Sequence, residues 1–339
     1  MNQSEVRPGF TAAISVSETH DEDARIVEKP FGRALVEAGR RNPTIVGLTA
    51  DLGKYTDIDL FGREFPERYF QVGMAEQNLI GVAAGLSRVG YIPFATTYCV
   101  FASRRAYDFI AIDVALGRAN VKIIAGLPGL TTGYGATHQG IDDLALMRAI
   151  PNMVVIDPCD ATEIEQAVYA IAEYDGPAYM RLLRGKVKAV LNSKSYQFEL
   201  GKAVTLREGR DIALVSTGIM TERALEAAEK LSKSGIAARV LHTPTLKPLD
   251  QDAILQAAAE TGVILTLENH STIGGLGSAA AEAIALAGIK VRMTKIGIQD
   301  RFIECGSVGY LTNKYGLSTP QIVKAAQDLL ANDHHSASP

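Results

Sequence analysis

The chain has 339 residues, of which 47% are hydrophobic and 21% are charged, and its net charge is −4. A chain of this length is too long for one ordinary domain, so we expect two. Acidic and basic residues are interspersed, which leaves no basic stripe for a nucleic acid. No apolar run reaches the roughly 18 residues that a membrane span needs. The composition therefore indicates a soluble globular protein that binds neither nucleic acid nor membrane.

The cysteines, Cys99, Cys159 and Cys305, lie far apart and do not have the spacing of metal ligands. Reduced and mostly buried thiols are typical of cytosolic proteins. The N-terminus has no basic segment followed by an apolar one, so no secretory signal is predicted. We therefore expect a cytoplasmic protein whose own side chains hold no metal.

Residues 1–24 are polar and without a pattern, which predicts an N-terminal arm. In residues 25–190, short apolar strands alternate with amphipathic helices. The predicted strands are 44–48, 68–72, 91–95, 121–125, 153–156 and 178–182, and the predicted helices are 31–40, 76–89, 100–116, 141–149 and 161–172. This alternation indicates an α/β domain with a parallel sheet covered on both faces.

A charged stretch without a helical period follows, from 184 to 208. It could include a hairpin, and its residues 191–208 are predicted to be a linker. The alternation then restarts in residues 209–331 and predicts a second, smaller α/β domain, and residues 332–339 are predicted to be a mobile tail. The strands of this second domain are 212–216, 238–241, 262–267 and 290–296, and its helices are 220–234, 250–260, 275–286 and 319–330.

Polar and aromatic residues follow the ends of several predicted strands of the first domain. They are Asp51, Glu76, the segment 96–101 and the glycine-rich loop 126–140. In open α/β sheets, ligands bind outside the carboxyl ends of the strands. We therefore expect one candidate site at this edge of the first sheet.

Glu76 begins a predicted helix, and its carboxylate has two interpretations. A glutamate in a first turn gains at most about 1 kcal/mol from the helix dipole, and most such residues do nothing else. Alternatively, the carboxylate is half-buried in a cleft, where desolvation favours its protonated form and lets it share a proton with a ligand. Glu76 alone does not decide between these interpretations.

Other candidate residues have similar pairs of interpretations. Tyr98 and Phe101 either pack in the core or form a platform on which a flat heterocycle stacks. His138 lies in a glycine-rich loop and is either exposed or close to a ligand. Arg181 and Arg184 follow the last strand of the domain, where an arginine is either a surface charge or a clamp for phosphate or carboxylate.

The second domain has a glycine-rich turn, Glu268–Gly277, that leads into a helix. Such a turn either binds an anion at the helix N-terminus or allows the helix to dock tightly on the sheet. The Gly-Gly-x-Gly spacing does not match a nucleotide-binding fingerprint.

Several stretches, taken together and in order, resemble the transketolase superfamily. Val-Gly-Met-Ala-Glu-Gln-Asn (72–78), Thr-Thr-Tyr-Cys-Val-Phe (96–101) and Arg-Ala-Tyr-Asp (105–108) are similar to its pyrimidine-binding domain. Ala-Thr-His-Gln-Gly (136–140), Ile-Pro-Asn-Met-Val (150–154) and residues 297–307 extend the resemblance. It implies a pyrimidine-binding domain of the thiamine diphosphate-binding fold, followed by a smaller transketolase C-terminal domain.

The resemblance also implies roles for the candidate residues. Glu76 would hydrogen-bond N1′ of the aminopyrimidine of thiamine diphosphate and favour the imino tautomer that takes the proton from thiazolium C2. Phe101 would stack on the pyrimidine with Tyr98 beside it, and Asp51 would lie near the cofactor. His138 would contact the substrate, so Glu76 and His138 are the expected catalytic residues.

The expected substrate contacts agree only in part with the family pattern. Arg184 falls on an arginine that binds substrate phosphate, and Arg181 is a second candidate for holding an anion. However, Tyr134 replaces an aspartate that reads a sugar hydroxyl, and Leu127 replaces a phosphate-binding histidine or arginine. Glu28 replaces another phosphate-binding arginine. We therefore expect that the acceptor is not a sugar phosphate held in the usual way.

The chain has no Gly-Asp-Gly motif, with which relatives hold Mg²⁺ and the diphosphate. The resemblance therefore implies the C-terminal subunit of a split transketolase, active only with an N-terminal-type subunit that binds the diphosphate and Mg²⁺. We expect a heterotetramer with two copies of each chain, acting on a sugar or sugar phosphate. The alternatives are a beta-type subunit of a 2-oxoacid dehydrogenase, a decarboxylating enzyme like 1-deoxyxylulose-5-phosphate synthase, and a non-catalytic assembly subunit.

Overall fold

The computed structural model describes residues 25–331, so the predicted arm (1–24) and tail (332–339) lie outside the described residues. The strands are β1 (Ile26–Glu28), β2 (Ile45–Thr49), β3 (Tyr69–Gln71), β4 (Ile92–Tyr98), β5 (Lys122–Gly126), β6 (Val154–Ile156), β7 (Ala178–Leu182), β8 (Lys186–Lys188), β9 (Val204–Arg207), β10 (Ile212–Ser216), β11 (Ala238–His242), β12 (Thr245–Lys247), β13 (Val263–Ser271) and β14 (Arg292–Ile298).

The helices are α1 (Pro30–Arg41), α2 (Asp59–Glu64), α3 (Glu76–Arg88), α4 (Cys99–Arg105), α5 (Tyr107–Phe109), α6 (Asp143–Ala149), α7 (Ala161–Glu173), α8 (Met220–Lys233), α9 (Gln251–Thr261), α10 (Leu276–Ala287), α11 (Val308–Lys314) and α12 (Thr319–Ala331). A π-helical segment, Ile110–Leu116, continues α5. Within residues 25–331, no helix combines the length and the apolar character that crossing a membrane requires.

The first sheet has seven strands in the order β12-β6-β7-β5-β4-β2-β3. All neighbouring pairs are parallel except β12 with β6. Strands β2, β5 and β7 are buried along their whole length, as expected for apolar strands with helices on both faces. Ile45 faces the core that contains residues of α1 and α7, whereas Val46 faces the core that contains residues of α3 and α6.

The second sheet has five strands in the order β14-β13-β10-β11-β9, and only β9 is antiparallel to its neighbour. The predicted α/β class, with a mainly parallel sheet in the first domain and a second α/β domain after it, is confirmed. Strand β9 lies within the predicted linker 191–208 and belongs to this second sheet. The hairpin considered for 184–208 does not form, because β8 pairs with β1 and β9 pairs with β11.

The two domains share a β-sheet and a hydrophobic cluster. Strand β12 follows β11 of the second domain but extends the sheet of the first domain. One hydrophobic cluster also continues across the boundary, from Leu144 and Val155 to Val215 and Ile264. The second domain therefore buttresses the first and holds its loops in place.

Arg181 is among the largest fully buried side chains, and it is only 1% exposed. Its guanidinium donates to both oxygens of Asp143, at 2.6 and 2.9 Å, and to Asp157 at 3.2 Å. It also donates to the backbone carbonyl of Asn269 in the second domain, at 3.2 Å. Burial raises the pKa of Asp157 to about 6, although the charge of Arg181 opposes this rise.

A second buried polar network joins α7 to β11. Nε2 of His242 lies 2.9 Å from both carboxylate oxygens of Glu163, and Tyr196 donates its hydroxyl to the same carboxylate. Cys159 adds its backbone N–H at 2.7 Å. Burial alone would raise the pKa of Glu163, but the charge of His242 and these hydrogen bonds outweigh it and lower the pKa. Although Cys159, Glu163 and His242 cluster as metal ligands do, the carboxylate is already satisfied by hydrogen bonds.

Replacing Arg181 with methionine is expected to lower the free energy of unfolding by about 3–5 kcal/mol, because two buried carboxylates lose their counter-ion. Urea denaturation followed by circular dichroism measures this loss. Arg210→Met is the matched control, since the Arg210 side chain is 91% exposed and lies 3.9 Å from Asp211. Its effect should stay within about 0.5 kcal/mol. Equal losses for the two variants would contradict the structural role of Arg181.

Candidate functional site

The candidate site lies where β2, β3, β4 and β5 end at one edge of the first sheet. Glu76 starts the helix after β3, Tyr98 ends β4, and Leu127 follows β5. Phe101 lies in the first turn of α4, directly after Tyr98. The ring of His138 contacts the rings of Tyr98 and Phe101, so these residues meet at one edge of the sheet, as expected.

Glu76 is buried, with 3% of its surface exposed, although it is the first residue of α3. Its carboxylate accepts a hydrogen bond at 3.0 Å from Nη1 of Arg105, which is the last residue of α4. A glutamate that merely complemented the helix dipole would be solvated. The structure therefore favours the interpretation of Glu76 as a buried carboxylate directed at a partner.

Arg105 lies one helical turn after Phe101 and covers its ring. The guanidinium carbon is 4.0 Å from the centroid of the Phe101 ring, while the same guanidinium bonds to Glu76. Half of the Arg105 side chain is exposed. Glu76 and Phe101 thus form a seat for a flat group that carries N–H donors, because a planar cation stacks on an aromatic face and bonds to a carboxylate in its own plane.

His138 stands edge-on to the aromatic rings beside this seat. Its ring centroid lies 5.4 Å from that of Phe101, 6.3 Å from that of Tyr98 and 5.6 Å from that of Tyr134. Burial against these rings and the positive charge of Arg105 both lower the pKa of His138. The imidazole is therefore neutral at pH 7 and can accept a proton.

Tyr98 and Leu127 form the apolar floor of the site. Tyr98 is 6% exposed, and burial raises the pKa of its phenol to about 12, so it stays protonated. Leu127 packs in the same cluster as Tyr98, although its φ of 57° is left-handed. Such a backbone conformation costs a non-glycine residue roughly 1–3 kcal/mol and is common at functional sites.

Arg184 lies two residues after the end of β7. Its positive charge acts to lower the pKa of Tyr98, which places the two side chains near each other. Its Nε is buried and has no hydrogen-bond partner among the described residues. A cation with an unsatisfied donor is suited to an anionic substrate group.

Arg181 does not reach the site, and its expected role in binding an anion is corrected. The buried guanidinium is engaged by Asp143, Asp157, Asn269 and the carbonyl of Gly140, so it is turned into the domain interface. A substrate could reach it only by displacing these bonds.

Asp51 lies at the expected edge of the sheet but remains exposed. Its backbone N–H donates to Oε1 of Gln71 at 2.7 Å, and Nε2 of Gln71 donates back to its carboxylate at 3.3 Å. The next residue, Leu52, packs on the cluster of Tyr98 and Leu127. The carboxylate of Asp51 is therefore held at the rim of the site by Gln71.

Three glycines of the loop 126–140 allow residues of the second domain to lie close to its backbone. A Cβ at Gly129 would clash with Asn269, one at Gly133 with Gly306, and one at Gly135 with Cys305. These glycines therefore allow the second domain to approach the loop, which holds the segment that carries His138.

The glycine-rich turn 268–277 docks a helix and does not bind an external anion. The carboxylate of Glu268 accepts the backbone N–H groups of Leu276 and Gly277, at 2.8 and 2.9 Å. The N-terminus of α10 is thus capped by the chain's own carboxylate. A Cβ at Gly275 would overlap this carboxylate, which explains the glycine.

Two domain families match most of the chain. Residues 26–189 match the model of the transketolase pyrimidine-binding domain, and residues 201–322 match that of the transketolase C-terminal domain. The chain belongs to the transketolase family. The predicted resemblance is confirmed, and the order of the two domains is the one expected.

Several relatives align with this chain over nearly their whole length. The transketolase family protein y4mN of Sinorhizobium fredii is 49% identical over 326 residues, which is 96% of this chain and 94% of that protein. The 6-deoxy-6-sulfo-D-fructose transketolase subunit SqwH of Clostridium sp. strain MSTE9 is 43% identical, over 87% of this chain and 91% of that subunit. A solved split-gene transketolase, an inactive beta4 tetramer, is 47% identical with a TM-score of 0.83, over 89% of this chain and 97% of that chain.

Transketolases depend on thiamine diphosphate, and the seat formed by Glu76 and Phe101 fits the pyrimidine of that cofactor. The guanidinium of Arg105 is itself a flat N–H donor that stacks on Phe101 and bonds to Glu76. An aminopyrimidine protonated at N1′ offers the same combination. Sequence reasoning assigned no role to Arg105, although its position one turn after Phe101 was a visible signal.

We expect the pKa of His138 to rise in an Arg105→Gln variant, toward but not up to the ordinary value of about 6.5, because burial remains when the charge is removed. NMR titration of the histidine ring protons measures this pKa, with His138→Gln to assign the signal. Arg63→Gln is the control, since the Arg63 side chain is 70% exposed and pairs with Asp59 at 2.7 Å. An unchanged pKa in Arg105→Gln, or an equal rise in both variants, would refute the geometry described.

Proposed function

We propose that the chain is the pyrimidine-binding subunit of a two-chain transketolase. The complex moves a two-carbon ketol unit from a ketose donor to an aldose acceptor and uses thiamine diphosphate and Mg²⁺. The observation that carries this proposal is the seat of Glu76 and Phe101, in which a buried carboxylate and an aromatic face together hold a flat N–H donor. A non-catalytic assembly subunit would have no need of a buried carboxylate at that position.

Each residue of the site has a chemical role in this proposal. Glu76 shares a proton with N1′ of the pyrimidine, and Phe101 fixes the plane of the ring. When bound, thiamine diphosphate supplies the electron sink that stabilises the two-carbon unit during transfer. His138, neutral at pH 7, accepts and returns a proton at the substrate hydroxyl, while Tyr98 and Leu127 exclude water from the site.

The diphosphate and Mg²⁺ belong, in this proposal, to a separate N-terminal-type subunit. The chain corresponds to 97% of one chain of a split-gene transketolase and to 91% of a transketolase subunit, which supports a division into two polypeptides. We infer a heterotetramer with two copies of each chain. The free thiols Cys99, Cys159 and Cys305 agree with a cytoplasmic location.

The acceptor, in this proposal, is not a sugar phosphate held in the usual way. Leu127 is 2% exposed and belongs to the apolar floor at a position where the family resemblance implies a cation, and Glu28 is an exposed acid. Tyr134 places its ring beside His138. Arg184 remains as the cation near Tyr98 and suits one anionic group of the substrate. One relative is named for a sulfonated sugar, 6-deoxy-6-sulfo-D-fructose, which makes sulfonates natural candidates.

Co-purification with a diphosphate-binding subunit, followed by assays with phosphorylated, sulfonated and free sugars, tests the proposal. Ketol transfer to one class of aldose supports it. Decarboxylation of a 2-oxoacid by the same complex would instead favour the 2-oxoacid dehydrogenase or the 1-deoxyxylulose-5-phosphate synthase type of enzyme.

Glu76→Gln in the assembled complex is expected to lower kcat by about 100-fold or more while thiamine diphosphate still binds, because an amide cannot share the proton at N1′. Steady-state kinetics and calorimetry separate these two effects. Glu67→Gln is the control, since the Glu67 side chain is 69% exposed and its contact with Arg68 is long, at 3.7 Å. Near-normal turnover by Glu76→Gln would show that the assigned mechanism is wrong.

A further inference from the structure

Arg105 occupies the seat that the proposed function assigns to the pyrimidine. Its guanidinium lies 4.0 Å from the centroid of the Phe101 ring and donates to Glu76 at 3.0 Å. Both groups that the pyrimidine needs, the aromatic face and the carboxylate, are therefore already engaged within this chain. A second flat group cannot stack on the covered side of Phe101 while the guanidinium remains there.

The position of Arg105 in the fold allows it to leave. It is the last residue of α4, a helix of seven residues, and the helix is interrupted directly after it at Ala106. Its side chain is half exposed, whereas that of Glu76 is only 4% exposed. Rotation about the Arg105 side-chain bonds can therefore carry the guanidinium into solvent without moving the backbone, while the carboxylate stays where it is.

Burial makes this arrangement more than an incidental surface pair. A buried carboxylate without a counter-ion is costly, so Glu76 needs a partner whenever no ligand is present. Arg105 supplies that partner, and a pyrimidine protonated at N1′ would supply it equally well. The two partners are alternatives for one carboxylate and for one aromatic face.

We propose that Arg105 is a built-in competitor of the cofactor, which closes the seat of Glu76 and Phe101 in the free subunit and is displaced when thiamine diphosphate binds. This inference rests on the proposed function. It explains how a complete pyrimidine seat can remain closed in the chain alone. Binding energy from the partner subunit, through the diphosphate and Mg²⁺, then opens the seat.

Calorimetric titration of the assembled two-subunit complex with thiamine diphosphate and Mg²⁺ tests this competition. In Arg105→Ala the cofactor no longer has to break the cation–π contact and the ion pair. The Kd should therefore fall by about 3- to 30-fold relative to the wild type. Arg105→Lys keeps the charge but loses the planar stacking group, so its Kd should lie between the two values.

Arg88→Ala is the matched control, because Arg88 is an exposed arginine at the opposite end of the helix that Glu76 begins. Its Kd should equal that of the wild type. Thermal unfolding of each complex without cofactor verifies that the variants are folded, and Arg105→Lys serves as the test variant if Arg105→Ala is not.

The outcomes separate this inference from the proposed function. Tighter binding by Arg105→Ala, with unchanged binding by Arg88→Ala, supports the competition. Unchanged or weaker binding by Arg105→Ala overturns it, since Arg105 would then tolerate or assist the cofactor, and the proposed function would stand. Failure of the wild type and of every variant to bind thiamine diphosphate would overturn both.

Discussion

A buried carboxylate must be neutralised or paired, and in this chain the carboxylate of Glu76 is paired with Arg105. The rest of the site is arranged around this constraint. Phe101 provides the face on which the paired cation rests, and His138 lies close enough for the same cation to lower its pKa. A ligand that enters must replace the guanidinium both as the charge partner of Glu76 and as the flat group that stacks on Phe101.

The site remains in place because the second domain is fixed to the first by buried bonds. Arg181 joins two carboxylates of the first domain to a backbone carbonyl of the second, and Glu163 of the first domain pairs with His242 of the second. The glycine-rich loop that carries His138 is packed against the second domain at Asn269 and Gly306. The second domain thus positions the loop that carries His138.

Much of the fold could be predicted because strands buried on both faces form mainly apolar runs. Strands β7 and β10 match the predicted spans 178–182 and 212–216. The helix predicted for 100–116 is broken after Arg105. The sequence does not predict this break because the apolar pattern continues across it. Strand β12 is only three residues long, and its pairing with β6 depends on contacts between distant segments.

The candidate site was predictable where a residue's role is local and not where it depends on packing. The positions of Glu76, Tyr98, Phe101 and His138 follow from strand ends and the family resemblance. An arginine at the end of a strand, however, looks the same in sequence whether it faces a ligand or a buried acid. The orientation of the Arg181 side chain depends on its bond to Asp143, which lies 38 positions earlier in the chain.

The central claim is that Glu76 and Phe101 form half of a thiamine diphosphate site that another chain completes. Calorimetry with thiamine diphosphate and Mg²⁺ tests it most directly, first on this chain alone and then on its mixture with a diphosphate-binding subunit. The account predicts no binding by the chain alone and saturable binding by the mixture. Tight binding by the chain alone would contradict it.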